Sequence, residues 1–506
     1  MADPKTLSDI ANTRKTGFRV GLVGCGTAGA CAVAGLAAHA MNFNSPGELV
    51  LIDRSENRWR GRAYQLDGDY ILTNLPFGVM SIQPDDPEHG LRWARSRGLD
   101  VDPDLDGTQK FVPRAEFGRY LEQSVAEALA ALEHAGWRVL RVDELAAELN
   151  MTGDGVEVRT DTGRRIIVDH LVLCVSDALY QDSYGLQGAQ GYFIDPYPVA
   201  ELVAGIPNCS DVGVIGSGLA AVDVVAGLHA RGHRGRIDLF SRNGLLPAVR
   251  RRSTPVQPRT LTRATAIKSK LLSLTELVAL AAEEVRAAGG DFDRFAEDFL
   301  RPEAAPQRLR RQLAELGTGD VTAALLQRAL LDAAQDFWCA LAEDSKDWLI
   351  ANAYPHLMSW SSPMPRNNAE LLAELIDRGQ LNVWAGTAGV AVRDHGFTVQ
   401  TAYGEVPVEF LVNTVTPARR GFPRKAHGLI DCAVRVGILR PHPRGGVDID
   451  TATGYAIGGD GQVRHTVSVL GELTSGAYFF VTTVPLFVRR ANHVAAAIAA
   501  RSPSSH

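Results

Sequence analysis

The sequence predicts an α/β fold built from two units of the same kind, with a helical segment inserted in the second. An apolar strand, a glycine-rich turn and a helical segment follow one another at residues 18–41, and the same order returns at 210–230. Between residues 263 and 350 glycine becomes sparse, and Ala, Leu, Glu and Arg recur at helical spacing. A chain of 506 residues is too long for one core, so several domains are expected.

The first glycine-rich turn reads GCGTAG and follows an apolar run that ends at Gly24. Gly24, Gly26 and Gly29 have the spacing that permits a tight turn, a close approach of the backbone to a pyrophosphate, and close packing of helix on strand. The amides at the start of the following helix suit phosphate oxygens. The next strand, residues 48–52, ends in Asp53, an acid suited to the ribose hydroxyls of an adenosine. The pattern predicts a Rossmann-like dinucleotide site.

The chain between the two turns predicts a loop, a helix and several strands. Residues 57–93 are rich in Gly, Pro and aromatic residues without periodicity, which predicts a long loop across the first site. Residues 114–134 have apolar side chains at three- and four-residue steps, which predicts a helix. Strands are predicted at residues 137–142, 155–160 and 165–174, the last of which leads into Cys174-Val175-Ser176.

The second glycine-rich turn reads GSGLAA, with Gly216, Gly218 and Ala221 at the same spacing. Its second strand, residues 236–240, ends in Ser241-Arg242 instead of an acid. Ser and Arg can receive a 2′-phosphate, so NADPH is favoured here over NAD. The alternative is that Arg242 is a solvated surface residue. The nearby run of Arg250, Arg251 and Arg252 either adds positive potential to this site or forms a solvated face.

The second half repeats the plan of the first. Strands are predicted at residues 381–384, 397–401 and 406–415, and they close on Thr414-Val415-Thr416. The helical insertion is expected to cap a substrate pocket or to form a packing or dimerisation layer. The predicted domains are the first part of the first unit at 15–205, the first part of the second unit at 206–262, the insertion at 263–350, a return to the second unit at 351–420 and a return to the first at 421–500.

Composition excludes some classes of partner. The net charge of −6 argues against nucleic acid as the main partner, because such proteins need clustered cations. The sequence has no apolar run of about 18 residues and no secretory signal, so no membrane association and a cytoplasmic location are expected. Six cysteines without CxxC spacing predict buried, reduced thiols and no metal site. A small-molecule ligand is expected, and homo-oligomerisation is left open.

Five stretches carry a resemblance to a known family. They are GCGTAG with Asp53, GRAY with the downstream Asn74, Met80 and Ser81, PRAEFGRYL from Pro113, VGVIGSGLAAVD with SRNGLLP, and GELTSG from Gly471. The chain resembles bacterial FAD/NAD(P)-binding flavoproteins with two dinucleotide-binding domains, akin to amino-acid N-hydroxylating flavin monooxygenases, including the aspartate-oxidising, nitrosuccinate-forming type. Apart from the insertion, these stretches sample nearly the whole chain.

The resemblance implies FAD in the first site and NADPH in the second, and N-oxidation of an amino-acid amine by dioxygen through a flavin hydroperoxide. The stretch with Asn74, Met80 and Ser81 is expected to approach the flavin, and the turn from Gly471 to Gly476 to face it. The residues expected to bind the cofactors are Gly24, Gly26, Thr27, Ala28, Gly29, Asp53, Arg54, Ala63, Tyr64, Asn74, Met80, Ser81, Gly216, Ser217, Gly218, Leu219, Ala220, Ser241, Arg242, Gly471, Thr474 and Gly476.

The catalytic residues are not predicted. Arg residues are the expected clamps for substrate carboxylates, and the candidates are Arg62, Arg114, Arg366 and Arg440, each of which also fits an ordinary ion pair. His465 and Glu472 fit either a proton-handling or a structural role.

Three alternatives remain beside the monooxygenase. A disulfide reductase needs a redox pair beside the flavin, whereas Cys25 and Cys31 lie in the glycine-rich turn and its helix. A Baeyer–Villiger-type enzyme usually has a His and a Trp where this chain reads LQGAQGYFIDPYP. The third is another FAD/NAD(P)H oxidoreductase or a non-catalytic flavin- or nucleotide-binding protein.

The chain departs from the resembled family at the two turns that close its units. The family commonly has an ATG-like sequence there, whereas this chain has Cys174-Val175-Ser176 and Thr414-Val415-Thr416.

Overall fold

The structure is a computed structural model. It describes residues 17–104, 107–153, 155–175, 182–252, 256–317, 321–415 and 427–502. The predicted closing positions Ser176 and Thr416 lie outside the described residues, as does most of the N-terminal segment assessed for a secretory signal.

Seventeen strands are found in the described part of the chain. They are β1 (Arg19–Val23), β2 (Glu48–Ile52), β3 (Arg138–Val142), β4 (Ala146–Met151), β5 (Val156–Thr160), β6 (Arg165–Val168), β7 (His170–Leu173), β8 (Tyr192–Phe193), β9 (Val212–Ile215), β10 (Ile237–Phe240), β11 (Leu381–Trp384), β12 (Gly389–Arg393), β13 (Gly396–Thr401), β14 (Gly404–Val408), β15 (Phe410–Asn413), β16 (Tyr455–Ile457) and β17 (Val463–Val469).

The described helices lie on the faces of the sheets and in the insertion. They are α1 (Thr27–Ala38), α2 (His89–Ser96), α3 (Arg114–His134), α4 (Val199–Ala204), α5 (Leu219–Ala230), α6 (Arg263–Lys268), α7 (Leu274–Ala287), α8 (Phe292–Leu300), α9 (Ala305–Ala314), α10 (Thr322–Ala340), α11 (Glu343–Trp348), α12 (Tyr354–Ser361), α13 (Arg366–Asp377), α14 (His427–Arg435), α15 (Ser475–Tyr478) and α16 (Val484–Ala499).

The first unit is a six-stranded sheet in the order β16-β17-β7-β1-β2-β3, parallel except for the edge strand β16. Val20 of β1 lies opposite Leu49 on one side and His170 on the other. Helices α1 and α16 cover one face, where a Cβ added to Gly35 would lie 3.0 Å from the carbonyl oxygen of Ala491. The short turn between β1 and α1 places the start of α1 at the carboxyl edge of the sheet.

The second unit repeats this plan. Its five strands are all parallel, in the order β11-β10-β9-β15-β8. Each unit also carries a three-stranded antiparallel sheet, β4-β5-β6 in the first and β12-β13-β14 in the second. In both units the strand that follows this small sheet returns to the large sheet beside the strand before the glycine-rich turn. The predicted α/β fold with two Rossmann-like units and a helical insertion is confirmed.

The strand prediction for residues 165–174 is wrong in one respect. The segment is two strands that belong to different sheets, because the chain breaks at Asp169 between β6 and β7. The Asp169 carboxylate accepts a hydrogen bond from the amide of Arg19 at 2.8 Å and so fixes the crossing. Strand β4, an outer strand of the small sheet, was not predicted.

Two predicted boundaries change. Strand β8 pairs with β15 in the second sheet, so residues 192–193 belong to the second unit and not to a first domain that extends to residue 205. Helix α4 packs on α5 of that same unit. The insertion continues beyond residue 350, through a short π-helical turn at Leu349–Ala353 and α12.

The predictions for one helix, one loop and the cysteines are confirmed only in part. The helix at 114–134 is confirmed as α3, and the loop predicted for 57–93 ends earlier because α2 begins at His89. All six cysteines are free, but Cys209 is exposed, so the prediction that all are buried is wrong. Among the described helices, none is long and apolar enough to cross a membrane.

Candidate functional site

The first glycine-rich turn joins β1 to α1 and leaves no space for a side chain at two of its glycines. Gly24 has a φ of +93°, and a Cβ added to it would lie 2.8 Å from the carbonyl oxygen of Cys174. A Cβ added to Gly29 would lie 2.4 Å from the carbonyl oxygen of Gly24. Gly26 is the N-cap of α1, and no side chain caps this helix end. The first amides of α1 are therefore left for an anionic ligand.

Asp53 follows β2, and its carboxylate is bonded to the glycine-rich turn. Oδ2 accepts a hydrogen bond from the amide of Cys25 at 2.5 Å, and Oδ1 accepts one from the amide of Ser55 at 2.5 Å. Each carboxylate oxygen can accept a second hydrogen bond, so capacity for ribose hydroxyls remains. The neighbouring Arg54 pairs with Asp161 at 2.9 Å. Contact of Asp53 or Arg54 with a nucleotide stays a prediction.

The segment that contains the GRAY sequence lies against the same turn. The amide of Trp59 donates to the carbonyl oxygen of Cys25 at 2.5 Å, and the Thr27 hydroxyl donates to the carbonyl oxygen of Arg60 at 3.3 Å. Gly61 has a φ of +57°, and a Cβ there would approach the Thr27 amide nitrogen to 3.5 Å. The loop predicted to cross the first site does lie across its glycine-rich turn.

The side chains farther along this loop differ in their exposure. Ala63 is exposed, whereas Tyr64 packs on Phe117 with 4.6 Å between the ring centroids. Asn74 is partly exposed, and the amide of its neighbour Thr73 donates to Val112 at 2.9 Å. The structure therefore leaves Ala63 and Asn74 accessible to a ligand, while Tyr64 contributes mainly to the core.

Met80 and Ser81 have protein partners for their side chains. Met80 is 1% exposed and lies in the core of the first unit. The Ser81 hydroxyl donates to the carbonyl oxygen of Asp86 at 2.7 Å and accepts from the amide of Gln83 at 3.2 Å. The predicted approach of this stretch to a flavin would therefore use its backbone.

The C-terminal turn meets the first site directly. Gly471 has a φ of +82°, and a Cβ added to it would lie 3.2 Å from the Cβ of Ala28 in the first turn of α1. The Thr474 hydroxyl donates to the carbonyl oxygen of Gly471 at 2.7 Å and holds the turn. At Gly476 a Cβ would lie 2.1 Å from Nδ1 of His442. The structure brings the predicted flavin-facing turn onto the start of α1.

The second glycine-rich turn is as closely packed as the first at its first glycine but more open at its second. Gly216 has a φ of +114°, and a Cβ there would lie 2.3 Å from Oγ1 of Thr414. A Cβ added to Gly218 would meet nothing within 4 Å. Gly218 is the N-cap of α5 without a side-chain cap, and Leu219 and Ala220 follow it partly exposed. This end of α5 has room for a phosphate group.

Ser241 and Arg242 lie at the end of β10. The Ser241 hydroxyl accepts a hydrogen bond from the amide of Gly244 at 2.9 Å, and the Ser217 hydroxyl donates to Leu245 at 2.6 Å, which ties this loop to the glycine-rich turn. Arg242 is exposed, and no ion pair joins its side chain to a described residue. The position of Arg242 at the end of β10 and its exposure to solvent fit a contact with a 2′-phosphate. This contact stays a prediction.

All four predicted substrate clamps are in ion pairs, and that of Arg366 is with Glu370 at 2.7 Å. Arg62 pairs with Asp195 at 2.5 Å, and Arg440 pairs with Asp448. Arg114 pairs with Asp223 at 2.7 Å in a buried contact that joins α3 to α5. Burial raises the pKa of the Asp223 carboxyl, and the Arg114 guanidinium opposes that rise.

The remaining candidates are His465, Glu472, Cys25 and Cys31. His465 is exposed on β17 with its ring 5.5 Å from the Tyr455 ring, whereas Glu472 lies in the C-terminal turn. Cys25 and Cys31 are buried free thiols, and burial raises the pKa of Cys31 to about 12 and that of Cys25 further. Neither cysteine presents a reactive thiolate.

The fourth predicted clamp, Arg366, lies with the arginine run in one pocket. This arginine pocket is lined by Thr108, Gln109, Phe111, Arg250, Arg251, Arg252, Leu316 and Arg366. The sequence pattern singles out these arginines separately and does not show that they converge. A run of three arginines at the end of a Pro-containing loop was the available signal. The insertion reaches the pocket through Leu316, while its role, as a cap or as a packing or dimerisation layer, stays a prediction.

A family model described as FAD-NAD(P)-binding matches residues 21–178. That range contains the first glycine-rich turn, Asp53, the GRAY segment and Asn74. No curated protein matches the chain by sequence.

Several solved structures have the same fold over nearly the whole chain. Ornithine hydroxylase from Pseudomonas aeruginosa, in reduced form, is 11% identical with a TM-score of 0.53, over 96% of this chain and 99% of that one. Ornithine N-hydroxylase from Kutzneria sp. 744, with reduced FAD, NADP+ and L-ornithine, is 13% identical with a TM-score of 0.52, over 96% and 99%. L-lysine 6-monooxygenase from Pseudomonas syringae is 16% identical with a TM-score of 0.52, over 95% and 99%. At these identities the likeness establishes the fold.

Proposed function

We propose that this chain is an FAD- and NADPH-dependent monooxygenase that N-oxidises the amine of a small amino acid. One observation carries the proposal: two nucleotide-type glycine turns stand at the carboxyl edges of two parallel sheets, and a C-terminal turn packs on the first of them. The family match over residues 21–178 supports an FAD/NAD(P)-binding first unit. The solved structures of the same fold include an ornithine N-hydroxylase and an L-lysine 6-monooxygenase.

The first turn fits the pyrophosphate of FAD. The first amides of α1 have no side-chain cap, and Asp53 retains acceptor capacity beside them. Residues 59–61 and Gly471 approach the turn from two other sides. These contacts support a site in which a bound ligand would be covered on two further sides and shielded from water.

The second turn fits NADPH in a different manner. Gly218 has open space where a Cβ would stand, so a pyrophosphate can approach the backbone. Arg242, exposed at the end of β10, is free to pair with a 2′-phosphate. An open site suits a cofactor that enters and leaves in every catalytic cycle.

The overall reaction balances as amino acid, dioxygen, NADPH and a proton giving N-hydroxy amino acid, NADP+ and water. When bound, FAD accepts a hydride from NADPH and activates dioxygen. The chain binds and orients the two cofactors and shields the first site from water. Its substrate site must also hold the amine unprotonated, because a protonated amine has no lone pair with which to react.

The purified full chain tests this proposal. We expect a yellow protein with a flavin absorption spectrum, NADPH consumption that depends on dioxygen, and a hydroxylamine product when the amino acids are screened one by one. Peroxide release without hydroxylamine for every amino acid would instead indicate an oxidase. A colourless protein that binds no added FAD would overturn the proposal, since both classes require the flavin.

A further inference from the structure

A second cavity lies where the helical insertion meets the loop after β10. This insertion cavity is bounded by Phe295 and Phe299 of α8, Arg308 of α9, Gln327 of α10 and Trp360 of α12. It encloses about 690 Å³, part of which is open to solvent, and small-molecule sites typically have roughly 300–1,000 Å³. None of the residues that line it is predicted to bind a cofactor, and only Arg251 also lines the arginine pocket.

Arg308 is the buried cation of the insertion cavity. The residue is 8% exposed, and its Nη1 donates to the hydroxyl of Ser359, a neutral partner, at 3.1 Å. In the described part of the chain no carboxylate forms an ion pair with it. Burial lowers the pKa of the Arg308 guanidinium and the nearby Arg311 adds to this effect, while Glu303 and Asp298 oppose it. Buried charges are normally paired, so this position favours an anionic ligand.

The carboxylates around the cavity are engaged by other arginines. Arg311 pairs with Asp298 at 3.1 Å and with Glu303 at 2.8 Å. Glu315 pairs with Arg251 at 2.8 Å. These acids would repel a dianion such as a phosphate group, but they leave the buried guanidinium without a negative partner of its own. A single carboxylate therefore matches the charge of the cavity.

Helix α8 presents aromatic side chains that the protein does not bury. Phe292, Phe295 and Phe299 recur at three- and four-residue steps, yet no residue of α8 is buried. The Trp360 ring centroid lies 5.6 Å from that of Phe295 and 6.4 Å from that of Phe299. Nε1 of Trp360 is buried without a hydrogen-bond partner, although a buried indole N–H usually has one. The walls thus offer aromatic surface and one spare donor.

We propose that the insertion cavity binds a small aromatic carboxylate, with the carboxylate on Arg308 and the ring against Trp360 and the phenylalanines of α8. A guanidinium binds a carboxylate through two parallel hydrogen bonds, and contacts between aromatic rings add to the burial of apolar surface. Such a ligand would join the insertion to the second unit. The site is independent of the proposed reaction, because it uses none of the predicted cofactor residues.

A calorimetric titration of the purified full chain tests this proposal. Phenylacetate and indoleacetate are the probes. Hexanoate, which has no ring, and phenethylamine, which has the opposite charge, are the comparison ligands. We expect at least one aromatic acid to bind about tenfold more tightly than either comparison ligand. Binding of hexanoate or phenethylamine as tight as that of both aromatic acids would overturn the inference, as would an absence of binding by both acids.

Replacement of Arg308 by Met removes the cation and keeps an apolar stem. Affinity for the aromatic acid should fall about 10- to 100-fold, the range expected for charge-assisted hydrogen bonds. The unfolding temperature without ligand should not fall, because Ser359 still donates to Leu246 at 2.6 Å. Arg310→Met, at an exposed arginine of the same helix paired with Asp377 at 2.5 Å, is the matched control and should leave the affinity unchanged.

Trp360→Phe provides a second variant that keeps a ring and removes only the indole N–H donor. It should weaken binding of the aromatic acid roughly 3- to 10-fold, as expected for the loss of one neutral hydrogen bond. Unchanged affinity in either Arg308→Met or Trp360→Phe would show that the acid binds elsewhere, and the inference would be wrong.

A titration at saturating NADP+ separates the insertion cavity from the second glycine-rich turn. The affinity for the aromatic acid should stay the same, since no residue of that turn lines the cavity. Arg242→Ala should likewise have no effect on it. Loss of binding in the presence of NADP+ would place the acid at the nucleotide site and would overturn the inference, even if the chain binds FAD and oxidises NADPH.

Discussion

The two glycine-rich turns share a strand–turn–helix backbone but differ in what lies over them. Residues 59–61 and Gly471 approach the first turn, whereas a Cβ on Gly218 of the second would meet nothing within 4 Å. The acid Asp53 follows the second strand at the first site, and Arg242 takes that place at the second. The same backbone arrangement is thus covered by other segments in one unit and left accessible in the other.

The largest expected effect comes from Gly24→Ala at the enclosed turn. A Cβ there would lie 2.8 Å from the carbonyl oxygen of Cys174 at a φ of +93°, so the turn must move or strain. We expect the free energy of unfolding to fall by roughly 2–4 kcal/mol and flavin binding to be lost. Denaturant unfolding and the flavin absorption of the purified protein measure both. Wild-type stability and flavin content in this variant would show that the turn is not constrained as described.

Arg242→Ala should come next and should affect only the open site. The loss of a charge-assisted contact with the 2′-phosphate is expected to raise the KM for NADPH about 10- to 100-fold. The KM for NADH should stay the same, because NADH lacks that phosphate. Arg231→Ala, at an exposed arginine at the other end of α5, is the matched control. Equal effects on the two coenzymes would contradict the assignment of NADPH to this site.

Gly218→Ala tests the accessibility of the second turn. The added methyl group occupies open space, so the thermal unfolding temperature and flavin content should match those of the wild type. It stands where a pyrophosphate would approach, so the KM for NADPH should rise roughly tenfold. Steady-state kinetics with differential scanning calorimetry distinguish the two effects. A marked loss of stability in this variant would show that the space beside Gly218 is not open.

The smallest effect concerns the closing strands of the two sheets. His170 begins β7, where β15 has Phe410, and burial lowers the pKa of His170 to about 3. The unfolded state binds a proton near pH 6.5 and the folded state does not, so stability should fall as the pH decreases from 6.5 toward 3. Between pH 7.5 and 5.5 this contribution is roughly 1 kcal/mol.

His170→Gln should remove that part of the pH dependence, because glutamine keeps a polar group near Ser468 but does not titrate. Denaturant unfolding at a series of pH values measures the slope. His465→Gln, at an exposed histidine on β17, is the control and should leave the slope unchanged. The interpretation fails if the two variants give the same slope.

The sequence predicts the parts of this fold that depend on local pattern. The strands and turns around Gly24 and Gly216 follow from apolar runs and glycine spacing, and α3 follows from its helical period. The division between β6 and β7 was missed, because both strands are apolar and the break depends on the bond from Asp169 to Arg19. The place of β8 in the second sheet depends likewise on a partner more than 200 residues away.

Only part of the candidate site could be predicted from the sequence. Glycine positions are set by local geometry, so the turns were located correctly. The surroundings of Ser81, whose hydroxyl is engaged by Asp86, could not be derived from a motif. Nor could the arginine pocket, since Arg250 and Arg366 are brought together by the pairing of residues 249 and 364. Convergence of distant side chains is a property of packing and leaves no periodic signal.

The buried pair of Arg114 and Asp223 limits how independent the two units can be. Asp223 lies on α5, directly after the second glycine-rich turn, and its partner belongs to the first unit. A second unit expressed alone would have to solvate or protonate that carboxylate in an apolar helix face. The chain therefore looks modular in its repeated topology, yet it would not divide into two autonomous proteins, and a graft of either unit onto another scaffold would have to carry this ion pair or replace both of its members.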